Sequence, residues 1–243
     1  MDTAYGQAYA TGYATHWWWR AREIVIESAL RELELPRGAS ILDFGCGDAV
    51  SFPMLERFGR VDGIEVDETL LSPAGPYRDR ISSAALGSPA YRDRQYQLIT
   101  ALDVIEHIED DSGTVGQLEE LAAPGGWLVV TVPASMRLWS SHDVVNHHYR
   151  RYERAQLQRL LSAHFEVVDV RYLFQLLFVP KYLLARLERL MGGEREAAIS
   201  QTSLPAPPLN WAMRRGLVLE SKMLRHLNPP FGTTLLAVVR KRR

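Results

Sequence analysis

Apolar residues change period several times along the chain, and each change marks an element. Near the start Tyr5, Tyr9, Tyr13 and Trp17 recur at every fourth position. That spacing predicts four rings on one helical face, weakened by Gly6 and Gly12. Residues 21–34, AREIVIESALRELE, predict an amphipathic helix that Pro36 and Gly38 stop. Short apolar runs then take over. SILDFG predicts a buried strand, CGDAV a turn, and SFPMLERFG a helix ending at Gly59. RVDGIEV predicts a second strand, DETLLSPA the start of another helix, and RISSAAL a third strand. YQLITALDV is the fourth, followed by helical material through GTVGQLEELAA. GGWLVVTVP is the fifth, introduced by Pro124, Gly125 and Gly126. ERAQLQRLLSAH then reads as a helix, FEVVDVRYLF as a strand and GTTLLAVVRKR as a last strand.

Strands alternating with helices predict an α/β fold, with a mostly parallel sheet covered by helices on both faces. Residues 175–230 separate the last two strands, far more chain than an ordinary connection. They hold two or three helical segments around a Pro-rich loop and read as a helical insertion. The expected organisation is one domain over residues 1–243. Residues 1–35 form a helical lid, 36–174 a ligand-binding core, 175–230 the insertion and 231–243 the last strand with a basic tail.

A composition of 47% hydrophobic and 23% charged residues is that of an ordinary soluble globular chain. Cys46 is the only cysteine, which excludes an intrachain disulfide and suggests a reducing cytoplasm. The N-terminus lacks the basic and apolar regions of a secretory signal. The most apolar long stretch, Tyr172–Leu190, is broken by Gln175, Pro180, Lys181 and Arg186, so no membrane-spanning helix is expected. The net charge of −1 hides an asymmetry. From Gln175 to Arg243 there are 12 Lys and Arg against 4 Asp and Glu, whereas the remainder holds 16 against 25. The basic third suits an anion or a membrane surface, at the inner face of the membrane, or a solvated face and tail. The acidic body speaks against nucleic acid.

The sharpest motif is Asp43-Phe44-Gly45-Cys46-Gly47-Asp48-Ala49 after the first strand, with Glu65 ending the second. Open α/β sheets bind ligands at the carboxyl ends of their strands, and a carboxylate in the second strand's position accepts hydrogen bonds from ribose. A nicotinamide dinucleotide site would want G-x-G-x-x-G, and the third glycine is absent. Asp43 and Asp48 suit a ligand carrying positive charge.

ILDFGCGDA, GIEVDE, YQLITALDVIEHI and APGGWLVVTVP together resemble the class I S-adenosylmethionine-dependent methyltransferases, in order and spacing, over about residues 20–174 and again at the last strand. The resemblance implies a Rossmann-like seven-stranded methyltransferase sheet with S-adenosyl-L-methionine as cofactor. By it, Asp43 supports the turn and the methionine amino end, and Gly45, Cys46 and Gly47 pack against the cofactor. Glu65 holds the ribose and Val66 packs on adenine, which Ala85 and Leu86 contact through their backbone. Leu102 and Asp103 lie along the methionine moiety, with His107 just beyond. Ala49 departs from the usual third glycine, and SSAALGS lacks the acid many relatives direct at the adenine amino group. More narrowly, HWWWRAR, ALDVIEHI, LWSSHD with HHYRRY, and PFGTTLLAVVRK resemble a bacterial subgroup associated with glycan and lipid pathways.

His142, His147 and His148 fall within WSSHDVVNHHYRRY, after the fifth strand. A zinc reading lacks a compact, repeated ligand spacing, so no metal is expected. An acid–base reading needs less, because an imidazole with a pKa near about 6.5 can take a hydroxyl proton at neutral pH. His142 beside Asp143 is the first candidate, followed by His107 and His148. Arg150, Arg151 and Tyr152 suit an anionic substrate group or anchor the loop; His147 reads as exposed, and His16, His164 and His226 as structural or solvent-facing.

The expected reaction is O-methylation of a small molecule or lipid-linked sugar. N-methylation of an amine, a non-catalytic binding module and a nicotinamide oxidoreductase are the alternatives. The apolar and basic helix around Phe174–Leu190 suits substrate cover, peripheral membrane contact or a homodimer interface.

Overall fold

The computed structural model describes residues 12–191 and 204–242. Tyr5 and Tyr9 lie outside the described residues. Within them the sheet has seven strands: β1 (Ala39–Phe44), β2 (Gly59–Ile64), β3 (Ile81–Ser82), β4 (Tyr96–Leu102), β5 (Ala122–Pro133), β6 (Glu166–Leu173) and β7 (Thr234–Arg240). Their order is β3-β2-β1-β4-β5-β7-β6, with β7 antiparallel to both its neighbours and the other pairs parallel. The helices are α1 (Trp17–Leu30), α2 (Phe52–Leu55), α3 (Asp111–Leu121), α4 (Ser141–Val145), α5 (Arg154–Ser162), α6 (Phe178–Met191) and α7 (Pro207–Leu224).

The period of two along each strand sorts side chains between two cores. Leu128, Val130 and Val132 of β5 join Leu235, Ala237 and Val239 of β7 on one face, against Val115 and Leu118 of α3 and Leu157 and Leu161 of α5. Trp127 and Val129, with Leu236 and Val238, face the other way, against Ile26 and Leu30 of α1, Phe52 and Leu55 of α2 and Leu217 of α7. Burying each such Leu or Ile contributes about 1.5–3 kcal/mol, which is what fixes the helices to the sheet.

Several expected elements are shorter. Tyr13 sits in a turn, and α1 begins only at Trp17, where His16 accepts the Trp18 amide at 3.2 Å as an N-cap. The rings at 13 and 17 therefore do not share one helix. DETLLSPA yields a single 3-10 turn, Glu68–Leu70, capped by Asp67 and followed by Pro73. RISSAAL pairs over only two residues at the sheet edge. Gly59 does not end a helix; it opens β2 opposite Ala39, whose carbonyl oxygen would lie 2.0 Å from an added Cβ. Pro124, Gly125 and Gly126 lie inside β5, where its pairing with β4 shifts between Tyr96 and Leu98.

The insertion folds back over the body. Asn210 of α7 accepts the Trp17 amide at 2.9 Å and donates to the Thr15 carbonyl at 2.9 Å. Arg189 of α6 donates to the Arg137 and Trp139 carbonyls, so α6 covers the loop after β5. No described helix is long and apolar enough to cross a membrane.

Candidate active site

The carboxyl ends of β1, β2, β4 and β5 meet around two linked groups of residues. The first is the turn after β1. The Gly45 and Cys46 amides both donate to the Ile64 carbonyl, tying this turn to β2. Gly45 has φ of 70°, and a Cβ there would come within 2.6 Å of Val104. Gly47 has φ of 52°, and a Cβ there would meet nothing within 4 Å, so its backbone faces open space. Ala49 also has a positive φ, 58°, where the usual motif has glycine, and α2 starts three residues later. The left-handed conformation costs a residue with a Cβ about 1–2 kcal/mol.

Glu65 accepts the Gly47 amide at 3.0 Å and the Asp67 amide at 2.9 Å. Burial raises its pKa despite these bonds. Each carboxylate oxygen retains a lone pair for a further donor. Val66 beside it is 60% exposed. An open backbone face, a buried carboxylate and an uncovered valine in sequence fit an adenosyl group. Asp43 is buried, paired with Thr100 across β1 and β4, and accepts both the Ser51 hydroxyl and, at 2.6 Å, the Thr100 hydroxyl. Burial pushes its carboxyl up to about 6. It braces the turn. Cys46 points under Gly63 and Phe52, with its thiol driven further up by burial and by Asp43. Ala85 is exposed, its carbonyl accepting the Ser88 amide, while Leu86 packs on the core.

The second group begins at Leu102, half-buried at the end of β4. Asp103 follows at φ 59°, its amide bonded to the Thr131 carbonyl. Arg22 of α1 reaches it: Nη2 lies 2.7 Å from Asp103 Oδ2 and 2.5 Å from the Thr131 hydroxyl. Thr131 also donates to Asp103 Oδ1 at 3.1 Å. This buried arginine was not anticipated from sequence, since its partners lie some hundred positions away.

The chain between β5 and α5 brings the imidazoles here. Ala134 bridges Tyr152, closing an excursion that carries α4. Asp143 within it is fully buried and accepts His148 Nδ1 at 2.8 Å, Arg151 Nε at 2.8 Å and the Ser140 amide at 2.9 Å. His148 and Arg151 hold its carboxyl far below the usual range, against burial. Asp143 thus serves His148 and not the adjacent His142, because neighbours on a helix point apart. The His148 ring lies 4.5 Å from that of His107 and 6.3 Å from that of His142, so three of the expected rings form one group. Burial, then Lys181, brings His142 down to about 4; burial, then His148, brings His107 to about 3. His147 turns outward at φ 57°.

Arg150 and Tyr152 both reach Asp111, at 2.8 and 2.7 Å, and Arg151 is held by Asp143. All three anchor the loop. Two further residues join the group without having been singled out from sequence as site residues. Lys181 of α6 lies 5.0 Å over the Trp18 ring and feels the charges of Arg151, Asp143 and Asp103, with burial lowering it to about 8. Glu106 is wholly buried beside His107. The ligand atoms of Glu106, His107 and His148 lie within 4.8 Å of one another, a set able to hold a metal ion. A surface cleft of about 580 Å³, lined by Arg159, Glu166 and Arg242, opens at the amino end of β6, at the opposite end of the sheet from these groups. Polar convergence, and not cleft size, marks the site.

A family described as "Methyltransferase domain" matches residues 17–176. The "Ubiquinone biosynthesis O-methyltransferase" of Nitrosospira multiformis is 31% identical over 99 residues, 37% of this chain and 41% of that protein. A Mycolicibacterium smegmatis protein named "Probable S-adenosylmethionine-dependent methyltransferase/" is 25% identical over 199 residues, 79% of this chain and 74% of that one. The chain spans less than half the length of the first two curated relatives it matches. Among solved structures, the N-methyltransferase NodS of Bradyrhizobium japonicum with S-adenosyl-L-homocysteine superposes with a TM-score of 0.54 at 14% identity, covering 93% of this chain and 88% of that one. The methyltransferase in complex with the Haloferax volcanii Trm112 activator gives 0.61 at 18% identity, over 99% and 95%. The strand order, the turn after β1 and the matched family agree: the chain belongs to the methyltransferase-domain family and has its class I, S-adenosylmethionine-dependent architecture.

Proposed function

We propose that the protein transfers a methyl group from S-adenosylmethionine to a hydroxyl of a small molecule or lipid-linked sugar, with His142 as general base. The observation that carries this reading is the gathering of the His107, His142 and His148 rings, with His107 in the turn that follows β4. S-adenosylmethionine supplies an electrophilic methyl group on a sulfonium, whose departure as a thioether needs no proton. The work left to the protein is alignment, desolvation and deprotonation of the acceptor. Glu65 and the open face of Gly47 are suited to hold the ribose side, with Val66, Ala85 and Leu86 toward adenine. Asp43, Gly45 and Cys46 shape the turn; Leu102 and Asp103, fixed by Arg22 and Thr131, border the methionine side. His142 is neutral around pH 7 and can accept the hydroxyl proton, although burial and Lys181, by lowering it to about 4, make it a weaker base than an ordinary imidazole. Lys181 acts on His142 through its charge, and that charge steadies an acceptor oxygen as it loses its proton.

The name of the Nitrosospira relative, an O-methyltransferase, supports oxygen as the acceptor atom. Exposed Leu183, Leu184 and Leu187 of α6, beside Arg186 and Arg189, support a lipid-linked substrate met at a membrane surface. The test is transfer of label from S-adenosylmethionine to a panel of phenols, quinols, lipid-linked sugars and small amines, with the product linkage read by mass spectrometry. An oxygen-linked product from any hydroxyl compound supports the reading. Products from amines alone overturn it in favour of N-methylation.

A further inference from the structure

We propose that Glu106, His107 and His148 ligate one transition-metal dication of the zinc class at the carboxyl end of β4. Their ligand atoms already lie within 4.8 Å of one another. A tetrahedral ion with bonds of about 2.0–2.1 Å would set them roughly 3.3 Å apart, a closure that side-chain rotation can supply.

Glu106 gives the strongest reason. It is 0% exposed, and among the described residues neither carboxylate oxygen has a hydrogen-bond partner on another residue, its own backbone amide alone bearing on it. A buried carboxylate in that state is costly unless a cation or a proton sits on it. Asp103 nearby adds like charge, while Arg22 and Arg151 act on it only through space. One histidine carries the complementary feature. His148 directs Nδ1 to Asp143, leaving Nε2 for a ligand role. Metal-bound imidazoles are fixed in this way, one nitrogen on the ion and the other on a carboxylate or carbonyl. Asp143 is itself immobilised by Arg151 and the Ser140 amide.

Two imidazoles and one carboxylate select zinc, cobalt or a similar ion over magnesium or calcium, which prefer oxygen. Glu106 closes one side, whereas both histidines are partly exposed. Three protein ligands with an open position is the arrangement of catalytic rather than structural zinc. Use of that position for an acceptor oxygen rests on the methyl-transfer reading; the binding of the ion does not.

The test is titration of the tag-free, chelator-stripped chain with cobalt(II) chloride, read by visible absorption and metal analysis, and competed with zinc chloride. The expected result is one ion per chain with the absorption of four-coordinate cobalt. Affinity should fall at least about tenfold in Glu106→Gln and His148→Ala, by roughly 10–100-fold in Asp143→Asn, and not at all in His147→Ala. No saturable uptake by the unsubstituted chain overturns the proposal, as does unchanged uptake in a folded His148→Ala variant. Calorimetry with S-adenosyl-L-homocysteine on the same samples separates the two readings. A chain that binds the analogue but not cobalt loses the metal site alone; one that binds cobalt but not the analogue keeps it and loses the cofactor reading.

Discussion

Replacing Asp143 by alanine would remove the anchor of the loop between β5 and α5. Its carboxylate takes four hydrogen bonds, from His148, Arg151 and the Ser140 amide and hydroxyl, with no water access. Truncation leaves the buried Arg151 guanidinium with only a 3.3 Å contact to the Ala134 carbonyl among the bonds described. Breaking a buried pair by removing one partner costs about 3–5 kcal/mol, a large part of a typical total of about 5–15 kcal/mol. For a chain of this size each kcal/mol shifts Tm by roughly 2–4 °C, so the expected loss is about 6–20 °C. Urea unfolding followed by circular dichroism measures the free-energy loss and a thermal melt the Tm, with Arg151→Met and the double variant completing a cycle. Since a buried charged pair can be exchanged for apolar groups at little cost, the double variant should fall short of the summed single effects by at least about 1 kcal/mol. A loss below about 1 kcal/mol in Asp143→Ala, or additivity within about 0.5 kcal/mol, would refute the reasoning.

The same carboxylate has a pH signature. Its folded pKa is depressed, so its stabilisation is present above the unfolded value of about 3.9 and lost as pH falls toward the folded one. The stability gap between the native chain and Asp143→Asn should be flat above about pH 5 and shrink by roughly 1.4 kcal/mol per pH unit below about 4; a gap that stays constant to pH 3 contradicts this. His142→Gln should lower kcat by about 10²–10⁴-fold on the acceptor identified, with S-adenosyl-L-homocysteine affinity intact. Unchanged turnover would remove it as the base. Arg22→Met should cost only about 1 kcal/mol or less in urea unfolding, because the Asp103 side chain is 39% exposed and water can replace the guanidinium. A cost above about 3 kcal/mol would mean that Asp103 depends on Arg22 far more than its exposure implies.

What the sequence makes legible here is local. The Asp43–Ala49 turn and Glu65 are contiguous with their strands, and short apolar runs announce β1, β4, β5 and β7. Element lengths are less legible. The turn at Glu68–Leu70 is set by the Asp67 side chain and by Pro73, and the two-residue β3 by its place at the sheet edge. The arrangement of the site is hidden for a related reason. Arg22 meets Thr131, and Lys181 meets Trp18, across distances in sequence that no periodicity spans. Positive φ at Asp103, Ser135 and His147 aims these residues, yet none is a glycine that would mark the bend. Asp143 illustrates the limit well: its neighbour in sequence is His142, but the turn after α4, with His147 at positive φ, brings it His148.

The central claim is that Glu65 and the open face of Gly47 form the ribose end of an S-adenosylmethionine site. Calorimetric titration of the native chain and of Glu65→Gln with S-adenosyl-L-homocysteine, with NAD in parallel, tests it most directly. The account predicts one analogue bound per native chain, no NAD bound, and an affinity in Glu65→Gln weaker by roughly 10–150-fold, the equivalent of about 1.5–3 kcal/mol for hydrogen bonds to a charged group. Equal affinity in the two proteins, or tight binding of NAD alone, would contradict it.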